Sequence, residues 1–303
     1  RTAAPARALL RGIRRRRRSP RGGREAPAAL TPAAVASVLV PAYFERTASE
    51  RTDATRFQPT TFTGGAWNVT EQHVAPPIGL LAHAIEVDHA ARSPQPMQLS
   101  RLSVDILGVI PIDEVEVTCR VLRPGRSIEL VEATLAQAGR PALSARAWLM
   151  HTRDTDALAG TAHPAMPPRD AIEPVDPSSA WPGEFIATVG EVRRRQEAPG
   201  RAQTWILPAV PLLEGEPVST TARLVSLVDI ANGVTPRADP RDVAFPNLDL
   251  TLHLVRTPEH GWIGFDTTVT FGATGLGMTH TVLHDERGVV GSVVQSLTVR
   301  PNR

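Results

Sequence analysis

The chain has 303 residues, 42% hydrophobic and 21% charged, enough to bury one large core or two of ordinary size. Its formal charge of +2 hides an uneven distribution: residues 1–27 hold ten arginines against one acid, Glu25, so the remainder carries −7. That balance argues against a nucleic-acid-binding face, and no apolar run approaches the ~18 residues of a membrane-spanning helix.

In chain order, residues 1–30 read as an Arg-rich, disordered leader without the apolar stretch of a signal peptide, a non-native or misassigned segment in preference to a tail for anionic surfaces or nucleic acid. All 33 basic residues are arginine, a coding bias, so no single arginine is read as chosen over lysine. The β-branched, Gly-containing stretch 60–70 predicts a strand. Residues 78–91 have helical apolar spacing and no internal proline. Four alternating runs follow, 99–107, 115–122, 128–136 and 142–150, separated by turn formers such as Arg123-Pro124-Gly125-Arg126. Cys119, the only cysteine, reads as a buried strand thiol, and its solitude excludes an intramolecular disulfide and a multi-cysteine metal site.

The segment 152–182, rich in Pro, Ala and Asp, reads as an exposed linker. Beyond it the order recurs: a strand at 201–207, a helix over 218–232 capped by Ser219 or Thr220 with Gly233 past its end, then runs at 248–255, 262–271, 277–284 and 289–299. A single long helix followed by antiparallel strands that wrap it is the hotdog arrangement. The expected fold is therefore an α+β double hotdog, two repeats of a long central helix wrapped by an antiparallel β-sheet. The N-terminal unit spans 31–151 and the C-terminal unit 183–303.

From Phe57 to Pro301 the chain resembles the TesB-like, type II acyl-CoA thioesterases. The resemblance rests on Gly64-Gly65, the Leu122-Arg123-Pro124-Gly125 turn, the run 139–144, the helix holding Asp229, the strand 246–256 and the final run 289–301. It implies hydrolysis of acyl-CoA to free acid and CoA, no cofactor, a cytoplasmic location and a homo-oligomer. It also implies an aspartate on the second helix, a Ser or Thr on the next strand and a glutamine on the last strand as catalytic residues. These fall on Asp229, Asn247 and Gln295, with Asn247 departing from the hydroxyl of the pattern.

The residues themselves fit that chemistry. Asp229 lies on an otherwise apolar stretch, 224–231, where an unpaired carboxylate is costly, and it is the natural base for a water. The amides of Asn247 and Gln295 can hold the water or orient Asp229. At the repeat offset, Asp88 matches Asp229, but Leu99 and Arg146 stand where Asn247 and Gln295 do, so the first half lacks the set. That half can instead offer its helix N-terminus, at Ile78 and Gly79, to the thioester oxygen, Gly79 serving equally as a helix-packing residue. The histidines show no metal-ligand spacing, and no metal is expected. Two alternatives stand beside hydrolysis: a hydroxyacyl-CoA or -ACP dehydratase, for which His73–Glu86 offers a histidine ahead of a helix, and an acyl-thioester-binding protein without catalysis.

Overall fold

The computed structural model describes residues 42–49, 53–65 and 67–302; the leader and residues 31–41 lie outside them. Its elements in chain order begin with β1 (Phe44–Thr47), β2 (Ala54–Pro59) and α1 (Ala75–Arg92), then β3 (Met97–Ile106), β4 (Val115–Arg123), β5 (Ile128–Gln137) and β6 (Arg140–His151). A long irregular stretch holds β7 (Pro174–Val175) and leads to α2 (Glu184–Thr188), β8 (Gly190–Ala198), β9 (Arg201–Pro208) and α3 (Thr220–Val225). The chain ends with β10 (Val243–Ala244), β11 (Asp249–Leu254), β12 (Ile263–Phe271), β13 (Leu276–Asp285), β14 (Gly288–Thr298) and β15 (Arg300–Pro301).

Thirteen strands form one antiparallel sheet in the order β1-β2-β4-β5-β6-β3-β11-β14-β13-β12-β9-β8-β7. Period-two patterning sets its two faces: along β5, Glu129, Val131, Ala133 and Leu135 are buried and their neighbours are not. The strands of residues 44–151 occupy one end and those of 174–298 the other. They join where β3 meets β11, in register from Asp105 opposite Asp249 to Arg101 opposite His253. The buried face of α1, with Ile78, Leu80, Leu81 and Ile85, packs on β3–β6. An inward charge on that sheet, Glu129, is answered by His89 Nδ1 at 3.0 Å and by Arg92 at 2.8 Å.

Two elements differ from expectation. Residues 60–65 and 67–70 form a short 3₁₀ turn (Thr61–Thr63) and loop, not a strand. Gly64-Gly65 is pressed against Gly183 so closely that a Cβ on Gly183 would stand 2.4 Å from Gly65 Cα, an approach that excludes side chains and breaks the pleat. The second helix is also not continuous over 218–232. Ser219 caps α3 as expected, accepting from Ala222 N–H at 2.9 Å. The Ser226 hydroxyl then bonds back to the Arg223 carbonyl at 2.8 Å, and Leu227 leaves helical geometry at φ −124°. A 3₁₀ turn, Val228–Ala231, completes the segment. The repeat is thus unequal, one long helix against a broken one. The stretch 152–182 is mostly exposed, yet Met166 and Ile172 are buried with Trp205 and Trp262. No helix among the described residues is long and apolar enough to cross a membrane.

Candidate active site

The break after α3 turns Asp229 inward, where it is 5% exposed among Leu227, Val228 and Ile230. A carboxylate there needs donors, and two amides supply them. Asn247 Nδ2 donates to Asp229 Oδ1 at 2.7 Å and also to the Asp249 carbonyl at 3.2 Å. Gln295 Nε2 donates to the same Oδ1 at 3.3 Å and to the Asp229 carbonyl at 3.4 Å. Burial drives the Asp229 pKa up to about 6, and the bonds from Asn247 and Gln295 restrain the rise.

The strands deliver these amides by simple geometry. Asn247 follows Pro246 and bridges to Leu297 just ahead of β11. Over the second half of β14 the buried positions are Val293, Gln295 and Leu297, while Val294 and Ser296 face out, so Gln295 is an inward polar residue and fully buried. Because each amide donates to Asp229 Oδ1, with Asn247 also tied to the Asp249 carbonyl, their role is to orient the carboxylate; their Oδ1 and Oε1 acceptors remain. Gln295 Oε1 is buried without a partner among the described residues.

The helix N-terminus does not serve as expected. The N–H of Ala75 bonds to His73 Nδ1 at 3.1 Å, Pro76 and Pro77 have none, and the N–H of Ile78 bonds to the Val74 carbonyl at 3.0 Å. Ile78 and Gly79 are buried and are not on the cavity wall. Gly79 is instead the point where α1 crosses the end of α3: a Cβ there would stand 2.4 Å from Ser226 Cβ.

His73, which the sequence offered only to the dehydratase alternative, takes a place at the site. His73 Nδ1 lies 3.7 Å from Asp229 Oδ2, and its ring stacks on Phe185 with centroids 4.3 Å apart. Burial pushes its pKa down to about 3, so the ring is neutral. Since Nδ1 accepts from Ala75 N–H, the proton sits on Nε2. Nothing local in the sequence pairs residues so far apart; the only signal was a histidine two residues before a helix that opens on two prolines.

Asp229, Asn247 and His73 line one cavity of about 560 Å³. Its walls include Trp181 and Val234, and its rim exposes Trp67, Leu107, Val109 and Leu248. Trp67, Trp181 and Phe245 meet edge to face, with centroids 4.8–5.9 Å apart, and Trp181 Nε1 is anchored on the Gly233 carbonyl at 3.0 Å. A mostly apolar chamber with one buried carboxylate and a few polar groups suits an apolar chain ending in a reactive polar group. Among the described residues no cluster of three His, Cys, Asp or Glu could hold a metal ion.

Two family models match, one for the acyl-CoA thioesterase N-terminal domain over residues 63–150 and one for the acyl-CoA thioesterase C-terminal domain over 155–299. No curated protein matches the sequence. Among solved structures, a protein of unknown function with a hot dog fold from Alicyclobacillus acidocaldarius superposes with a TM-score of 0.66 at 14% identity, over 85% of this chain and 96% of that one. The acyl-CoA thioesterase II TesB2 of Mycobacterium marinum superposes at 0.59 with 19% identity, over 84% and 96%. A tesB protein of Mycobacterium avium subspecies paratuberculosis gives 0.55 at 15%, again over 84% and 96%. At these identities the likeness shows a shared fold, the hotdog.

Proposed function

The chain belongs to the acyl-CoA thioesterase family and is a thioester hydrolase; we propose that Asp229 is the base that activates its hydrolytic water. The observation that carries this reading is the convergence of Asn247 and Gln295 on Asp229 Oδ1, which leaves Oδ2 without an amide partner. Above about pH 6 the carboxylate is ionised. Oδ2 takes a proton from water as the oxygen attacks the thioester carbonyl carbon. The neutral His73 offers its Nε2–H to the developing oxyanion, in place of the backbone donors that α1 lacks. The tetrahedral intermediate then expels the thiolate, to which Asp229 returns the proton, giving free acid and CoA thiol. Asn247 replaces the hydroxyl of the family pattern and serves by fixing the carboxylate, a task that needs a donor and not a nucleophile.

The same reading treats the fold as a double hotdog. Its support is the recurrence of helix then four strands, α1 with β3–β6 and α3 with β11–β14, in one sheet.

Thiol release from short, medium and long acyl-CoAs, measured beside Asp229→Ala, tests the mechanism. Turnover lost in a folded variant supports it; turnover unaffected by the substitution refutes Asp229 as base. Tight acyl-CoA binding without release from the native chain would favour a binding protein. One observation keeps a second reading in view: an imidazole and a carboxylate from opposite halves at 3.7 Å are what a hydroxyacyl-thioester dehydratase uses. Hydration of a 2-enoyl-CoA with no thiol release would transfer the assignment to it.

A further inference from the structure

A second cavity, of about 590 Å³, adjoins the one that holds Asp229, and the two share Ala180 and Arg194. Its far wall carries Arg237 and Arg241. The acids beside them are already engaged: Asp239 is held by Arg241 at 2.5 Å, and Glu197 lies 3.4–3.5 Å from Arg195 and Arg201. Among the described residues the Arg194 side chain has no hydrogen bond or ion pair, and Arg237 makes only a 3.3 Å bond to the Pro199 carbonyl. Partial burial lowers the Arg194 pKa, the mark of a guanidinium drawn away from water with no anion beside it. One guanidinium without a partner and a second that spends a single N–H, in an open cavity, form a receptor for phosphate oxygens, which guanidinium groups hold bidentately. The two cavities meet at Ala180 and Arg194, which line both.

We propose that the cavity walled by Arg194, Arg237 and Arg241 receives the phosphate-bearing nucleotide end of coenzyme A. The proposal rests on the thioesterase reading for the orientation of the substrate, its thioester at Asp229 and its adenosine phosphates at the arginines. It makes Arg194 the gatepost between chemistry and carrier, and it makes the chain a reader of CoA rather than of the thioester alone.

The test compares an acyl-CoA with the N-acetylcysteamine thioester of the same acyl group, which has no nucleotide, on the full chain. Arg194→Ala and Arg237→Ala are each expected to lower the ratio of kcat/KM for acyl-CoA to that for the short thioester on the order of tenfold, through KM. Arg300→Ala, at another part of the chamber wall, leaves that ratio where it was. Titration of adenosine 3′,5′-bisphosphate into the Asp229→Ala protein gives a second reading free of catalysis: binding is expected, and charge reversal by Arg237→Glu should abolish it. An unchanged ratio, a ratio that falls only with Arg300→Ala, or nucleotide binding indifferent to Arg237→Glu overturns the proposal. Absence of hydrolysis with either thioester would sink the thioesterase reading instead, while the nucleotide titration still decides the arginine site.

Discussion

Asp229→Asn should give a protein that is more stable than the native one and inactive. The folded state raises the Asp229 pKa from its ordinary 3.8 to about 6, which corresponds to about 3 kcal/mol of folding free energy withheld at pH 8. Below pH 3.8 both states hold the proton and nothing differs. Between 3.8 and about 6 the folded state keeps a proton that the unfolded state has lost, so stability falls as pH rises; above about 6 the whole penalty stands. An asparagine carries no charge at any of these values. Its carbonyl can still accept from Asn247 and Gln295, so the variant avoids the penalty without losing those bonds. Urea unfolding of both proteins at pH 4 and pH 8 isolates the effect, because other titrating groups cancel in the difference. The expected gain is about 3 kcal/mol at pH 8, shrinking towards zero at pH 4. A variant no more stable than the native protein at pH 8, or a gain equal at both values, would refute the claim that Asp229 is held as a strained carboxylate. Thiol release should vanish in the same variant, stability rising where function is given up.

In the native protein, kcat should climb as pH rises through about 6 and then level, and a flat profile would contradict Asp229 as base. Asn247→Ala removes the shorter of the two donors, so that limb should move to higher pH and kcat at pH 7 should fall on the order of tenfold. Gly79→Ala drives a Cβ to within 2.4 Å of Ser226 and should cost about 1–3 kcal/mol by thermal melting, with part restored in the Gly79→Ala, Ser226→Gly double variant. Arg256→Ala removes the ion-pair partner of Asp285, which is 2% exposed and keeps only the Glu259 and Arg287 N–H bonds, and should cost about 3 kcal/mol in urea unfolding without moving the pH–activity limb.

The strands of this fold are legible because each presents one apolar face at period two, and the runs at 115–122 and 128–136 lie almost wholly within β4 and β5. β8 was hidden: Arg193-Arg194-Arg195 gives no alternation, since only Val192 of that strand is buried. The break after α3 was hidden for a different reason. Ser226 fits a helical pattern as well as a bend, and its close approach to Gly79, far away in the chain, leaves no local signal. At the site, Asp229 could be singled out as a polar residue in an apolar run, a pattern that the sequence carries locally, whereas Gln295 stands out only through the family resemblance, since a polar residue on an alternating strand reads equally as exposed. Ile78 and Gly79 were misread, because the prolines and the His73 side chain that occupy the helix end act through hydrogen bonds rather than spacing. His73 itself depends on the opposed halves meeting, which no local period encodes.

The junction of β3 and β11 has a consequence for how the chain behaves before it is whole. Each strand covers a row of N–H and C=O groups that would otherwise stand at a bare sheet edge, the kind of edge that recruits other chains. During synthesis the first half emerges with β3 uncovered, and it waits for more than a hundred residues before β11 arrives to shield it. Either half made alone would therefore be a self-associating fragment. The splice that aligns the two walls of the reaction chamber is also the protein's guard against aggregation, and it is in place only once the last third of the chain has folded.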